Sequence, residues 1–169
     1  MDPNISCNAL AIITTPQTLK IETHIKKKNV IVLIDSGSTP NFTHCKIAKE
    51  LNFFLYLAPE CQVMVANGGT INLSGKCHNI MLSMAEYVVN SQMLSIPMGG
   101  ADVVLEVQWL QSVGTIDFNF QELVMKFCAE RKEVELRGIS RKLGKIIKSN
   151  GMTKLLKKEH RGVIAQLFH

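Results

Sequence analysis

The chain of 169 residues predicts an all-β fold of the closed-barrel kind, with two short helices. Three observations predict it. Short β-prone runs recur along most of the chain, each closed by a turn signal. One of them, Val30-Ile31-Val32-Leu33-Ile34, is wholly apolar and four-fifths β-branched, as a strand buried on both faces should be. Before residue 139, two stretches, 44–51 and 107–113, read as short helices.

The elements follow in order. Residues 5–13 form an apolar β-prone run, broken by Pro16-Gln17-Thr18. Residues 19–25 then alternate apolar and polar as a half-buried strand does, and Lys26-Lys27-Lys28-Asn29 is a solvated tip leading back into the 30–34 strand. Ile47, Ala48 and Leu51 predict a short helix with Thr43 as its N-cap. Residues 61–66 and 71–73 flank Asn67-Gly68-Gly69-Thr70, a strong hairpin signal because Asn-Gly tolerates the positive φ of tight turns. Residues 77–84 and 87–96 are two more strands, and 101–105 is a second short apolar strand. Val107 to Val113 looks helical and stops before Gly114. Trp109 on that helix reads as core. Residues 116–120 alternate, and 123–127 with 133–136 form a last hairpin across Glu130-Arg131-Lys132. Beyond it, Ile139, Leu143, Ile146 and Ile147 recur at helical spacing, as do Met152, Leu155, Leu156, Val163, Ile164 and Leu167. The expected organisation is a domain over 1–138 and a basic amphipathic linker or extension over 139–169.

Charge follows the same division. Residues 1–138 hold 11 Lys/Arg against 13 Asp/Glu, whereas residues 139–169 hold 8 basic residues and one acid, Glu159. The excess positive charge therefore lies in the extension, where it permits weak nucleic-acid contact, a membrane surface or a partner. No apolar run approaches the roughly 18 residues of a membrane span, and no basic-then-apolar leader opens the chain. These features predict an intracellular protein, cytoplasmic or nuclear. The five cysteines lack any C-x-x-C pair, and neither His44-Cys45 nor Cys77-His78 has zinc-ligand spacing. Free thiols, no metal and no cofactor are expected.

The chemistry centres on the end of the 30–34 strand. Asp35 follows directly, then Ser36, Gly37, Ser38 and Thr39. Burial disfavours an ionised carboxylate, so this position demands hydrogen-bond donors nearby. The hydroxyls and backbone N–H groups of the loop can supply them, and Gly37 permits close approach of another backbone. Taken alone, Asp-Ser-Gly also reads as an Asx-type turn closing a strand. A serine triad lacks its Gly-x-Ser-x-Gly elbow.

Four blocks, 5–10, 30–42, 63–69 and 101–110, occur in an order and spacing that resemble the retropepsins, the aspartic proteases of retroviruses and LTR retrotransposons. In particular they resemble the protease segment of a gypsy-type LTR retrotransposon polyprotein, from about Ile5 to Gly138. The resemblance implies a retropepsin-like closed barrel with catalytic Asp35, Ser36 and Gly37. It also implies substrate binding by Ser38 and by a mobile flap carrying Asn67, Gly68 and Gly69. One departure stands out: the family has a glycine where this chain has Glu106, which puts close packing beneath the loop in doubt.

Peptide hydrolysis by carboxylates alone needs one to activate water and one to polarise the carbonyl. Two held close share a proton. The chain offers a single Asp-Ser-Gly, and neither Asp102 nor Asp117 has its flanking motif. The second carboxylate must then be Asp35 of another copy, so the resemblance implies a homodimer cleaving a polypeptide, its own polyprotein. A Ser38 hydroxyl donating to Asp35 would favour an acidic optimum. Two other readings remain: a catalytically inactive relic serving as a dimerisation or interaction module, and nucleic-acid binding through the basic tail.

Overall fold

A computed structural model describes residues 4–5, 18–56, 62–65 and 69–139. The chain divides into two compact units, Met1–Ile139 and Ser140–His169, and the second lies outside the described residues. The helical spacing expected beyond Gly138 therefore falls outside them as well, as do Asn67 and Gly68.

The centre of the first unit is a closed ring of six strands. β2 (Leu19–Ile25) and β3 (Lys28–Ile34) form the expected hairpin, turning at Lys26-Lys27. β10 (Val103–Leu105) lies beside β3 and pairs with it in parallel, and β4 (Phe42–His44) flanks β10 on its other side. β4 pairs in parallel with β9 (Tyr87–Ile96), and β9 pairs with β8 (Gly75–Met84). The ring closes where His24 and Ile25 of β2 meet Ser83 and Leu82 of β8. A register shift between Cys77 and Ile80, with Asn79 at φ 54°, interrupts the β8–β9 ladder. A bulge of this kind bends a strand. The lower half of β8 pairs with β5 (Leu55–Tyr56), its upper half with β2.

Two smaller sheets flank the ring. β1 (Asn4–Ile5), β6 (Gln62–Val65) and β7 (Thr70–Asn72) form one, so β6 and β7 make the predicted hairpin, with Val63 opposite Ile71. β11 (Ile116–Asn119), β12 (Val124–Ala129) and β13 (Lys132–Arg137) form an antiparallel meander. The helices are α1 (Cys45–Glu50) and α2 (Val107–Val113). Among the described residues no helix is long and apolar enough to cross a membrane.

The two-sided burial of β3 has a direct cause. Val30, Val32 and Ile34 face a core inside the barrel with Ile21, Leu82, Met93, Leu105, Trp109 and Phe127. Leu33 points the other way, into a second core with Phe42, Val63, Leu94, Ile96 and Val104. The β6–β7 hairpin packs on this outer core through Val63, Ile71 and Leu73. With apolar layers on both sides, strict alternation has nothing to select for, hence the continuous run. Trp109 is buried and meets Phe127 edge to face, as a core residue does.

Two local expectations are corrected. The N-cap of α1 is His44, not Thr43: His44 Nδ1 accepts the N–H of Lys46 (2.9 Å). Thr43 is buried in β4, between Val103 and Ser95 of its neighbours, so its backbone is committed to the sheet. The lysine tip is also more than a solvated turn. Lys26 Nζ donates to the Leu51 carbonyl (2.9 Å) at the end of α1, and Lys28 pairs with Glu50. Cations at a helix C-terminus satisfy its free carbonyls and oppose its dipole.

The meander is fastened to the barrel at its end. Gly138 N–H donates to Leu123 O (2.7 Å) and Ile139 N–H to Lys20 O (2.6 Å). A Cβ on Gly138 would lie 2.6 Å from Leu19 Cδ1 and 2.9 Å from Leu123 Cβ. Gly138→Ala is therefore expected to destabilise the domain by about 1–3 kcal/mol through overpacking, measured by denaturant unfolding. Unchanged stability would mean that Leu19 repacks freely.

Candidate active site

Two parallel strands, β3 and β10, end side by side, with Ile34 opposite Leu105. Each is followed by an acid: Asp35 after Ile34, Glu106 after Leu105. Asp35 N–H continues the ladder by donating to Leu105 O (3.0 Å), and Asp35 Oδ1 accepts the N–H of Ser36 (2.8 Å). Asp35 is 7% exposed, whereas Ser36 and Gly37 are exposed at the surface of the chain. Gly69, immediately before β7, is exposed, and its hairpin packs on the outer core beside the same strands.

Ser38 lies differently from expectation. It is buried, its Oγ has no hydrogen-bond partner, and the expected donation to Asp35 is not made. Its N–H donates to Glu106 Oε2 (2.9 Å), and its carbonyl accepts from Val107 N–H (3.2 Å). The backbone of Ser38 is thus spent on holding the loop. Only Ser36, Gly37 and Thr39 of the 36–39 stretch are turned outward.

Glu106 corrects the expectation of poor packing. Its side chain is fully enclosed, at 0% exposure, and occupies the space beneath the loop. Its N–H donates to Asn41 Oδ1 (2.8 Å), while Asn41 Nδ2 donates to Ser91 Oγ (2.9 Å) on β9. Gln108 N–H, on the first turn of α2, donates to Thr39 O (3.0 Å). The loop from Asp35 to Asn41 is therefore tied at its first residue to the end of β10, and in the middle and at its last residue to Glu106 and the start of α2. Burial pushes the Glu106 carboxyl up to about 7. The backbone N–H of Ser38 opposes that rise, and the charge of Asp35 adds to it.

Sequence pattern gives no cue to the role of Asn41, since a lone Asn after Pro40 reads as a turn residue. In the sequence Glu106 stands out only as a departure from the glycine of the resembling family. The signal that linked both strands was present, because Val-Leu-Ile-Asp and Val-Val-Leu-Glu share one pattern. Among the described residues no group of three or more His, Cys, Asp or Glu is gathered for a metal ion.

The fold is retropepsin-like. Superposition on the retroviral protease-like domain of Ddi1 from Leishmania major gives a TM-score of 0.57 at 11% identity, covering 73% of this chain and 95% of that one. A retropepsin-like aspartic protease from Rickettsia conorii aligns with a TM-score of 0.44 at 15% identity, over 60% of this chain and 84% of that one. No protein-family profile and no curated protein sequence matches the chain. The likeness is one of backbone architecture.

Proposed function

We propose that this chain is one half of an aspartic endopeptidase, in which Asp35 of two copies forms a proton-sharing pair. The observation that carries this reading is the setting of Asp35. A buried parallel strand pair delivers the carboxyl to a loop whose Ser36 and Gly37 are exposed in the single chain. A second copy can therefore meet that loop without unfolding either one. The retropepsin-like fold supports the same reading.

In the assembled pair, the ionised Asp35 takes a proton from water as the water attacks the scissile carbonyl. The protonated Asp35 donates to the carbonyl oxygen. Ser36 hydroxyls cross-link the two loops, and Gly37 with the β6–β7 flap, including Asn67, Gly68 and Gly69, grips an extended peptide by its backbone. The substrate is a polypeptide, in keeping with the motif resemblance the polyprotein of a gypsy-type retrotransposon, and 139–169 is a linker toward the next segment.

Incubation with a denatured protein substrate at acidic pH, beside Asp35→Ala, tests this. Cleavage by the wild type and none by the variant is the expected result. Equal cleavage would discard the assignment, and no cleavage by either would favour a folded but inactive dimerisation module.

A further inference from the structure

Glu106 is a fully buried acid that the proposed chemistry does not use. Its Oε2 accepts the Ser38 N–H, and its backbone is locked to Asn41. Its other oxygen, Oε1, is buried without a hydrogen-bond partner, and so is Ser38 Oγ. An ionised Oε2 would accept the Ser38 N–H more strongly, but the burial of that charge, with Oε1 making no hydrogen bond and a second carboxylate beside it, costs more than this gains. A neutral acid carries its own proton on Oε1 and adds no charge beside Asp35.

We propose that Glu106 is a positioning residue that, uncharged, ties the Asp35–Asn41 loop to the start of α2, and that losing its proton slackens the tie. The part of this concerning peptide cleavage rests on the aspartic-protease reading; the loop tie does not.

The surroundings leave few other groups to bias Glu106. Asp35 is the charged group of β3 and its loop that bears on the carboxyl. β10 and α2 carry no other ionisable side chain. β4 and β9 contribute only His44, whose Nδ1 caps α1, and Tyr87, whose ring packs on Phe127. Burial is the largest cause, and with the charge of Asp35 it pushes the carboxyl up to about 7 against the opposing hydrogen bonds from Ser38 and Gly37.

Glu106→Gln mimics the neutral acid: its carbonyl oxygen accepts from Ser38 and its amide can donate where Oε1 lacks a donor. Glu106→Ala removes both. Amide hydrogen exchange of the 35–41 segment, corrected for intrinsic rate and compared at pH 5.5 and 8.5, reads the tie without any need for activity. In the wild type, protection is expected to fall at least about tenfold between these values, following one ionisation. In Glu106→Gln it should stay constant, and in Glu106→Ala it should be low at both. Equal protection at both pH values in the wild type would overturn the proposal, as would a fall of equal size in Glu106→Gln.

The pH–rate profile adds a second readout. The wild-type rate should drop about tenfold per pH unit above the ionisation of Glu106, with that alkaline limb absent in Glu106→Gln and the acidic limb unmoved. Superposed profiles would overturn the link to catalysis. If no form cleaves peptide while the exchange difference holds, the protease reading fails and the loop tie stands.

Discussion

Asp35→Asn is expected to lower peptide cleavage by roughly 10³-fold or more, since it removes the group that serves as both base and acid. Asn fits the space of Asp and still accepts the Ser36 N–H through its side-chain oxygen, so folding should survive. The sharper result comes from mixing. If both carboxylates of the pair are needed, dimers of one wild-type and one variant chain are inactive. With equal amounts of each chain exchanging freely, about a quarter of dimers are wholly wild type, and activity should fall to that level. It should follow the square of the wild-type fraction across a titration series at fixed total protein. A linear dependence would mean that each chain works alone, and the two-copy site would have to be given up.

The second large effect is on stability. Burial, chiefly, pushes the Glu106 carboxyl up to about 7 in the folded chain, against 4.5 for an ordinary glutamate. Below pH 4.5 both folded and unfolded chains carry the proton, and no penalty applies. Between pH 4.5 and 7 the folded chain keeps a proton that the unfolded chain has released, so stability falls as pH rises. Above pH 7 both are ionised, and the full cost of about 3 kcal/mol is borne. That is of the order of 10 °C in melting temperature for a domain of this size. Glu106→Gln should remove this slope between pH 5 and 8, and the difference between the two melting curves isolates the one group. The carboxylates of Glu50 and Glu135, held below the ordinary range by Lys28 and Lys126, act in the opposite direction and only at more acidic pH. Parallel curves for wild type and variant would show that Glu106 is not the buried acid described above.

Much of the architecture was legible because local patterns and tertiary packing agreed. The continuous apolar run of β3 reflected two cores, one on each face. The bounds of α2, Val107–Val113, followed from apolar spacing closed by Gly114, and the β8–β9 hairpin from two long β-prone runs. Short elements were not legible. β4 is a strand of three residues whose partners on β9 lie 52 positions away in sequence and those on β10 60 and 62. Its own residues, Phe-Thr-His, carry too little pattern to separate a strand from the approach to a helix, so Thr43 reads locally as a cap.

The acid at the end of an apolar run, the single Asp-Ser-Gly and the segregation of positive charge beyond residue 138 were determined by the sequence alone, since each is a matter of composition and order. Which way the loop's polar groups turn was decided only in three dimensions. Ser38 faces inward because Glu106, 68 positions later, takes its N–H, and Glu106 fits where a glycine was expected because Asn41 and the start of α2 close around it. A hydrogen bond between residues so far apart depends on parallel strands ending in register, and no local pattern encodes that register.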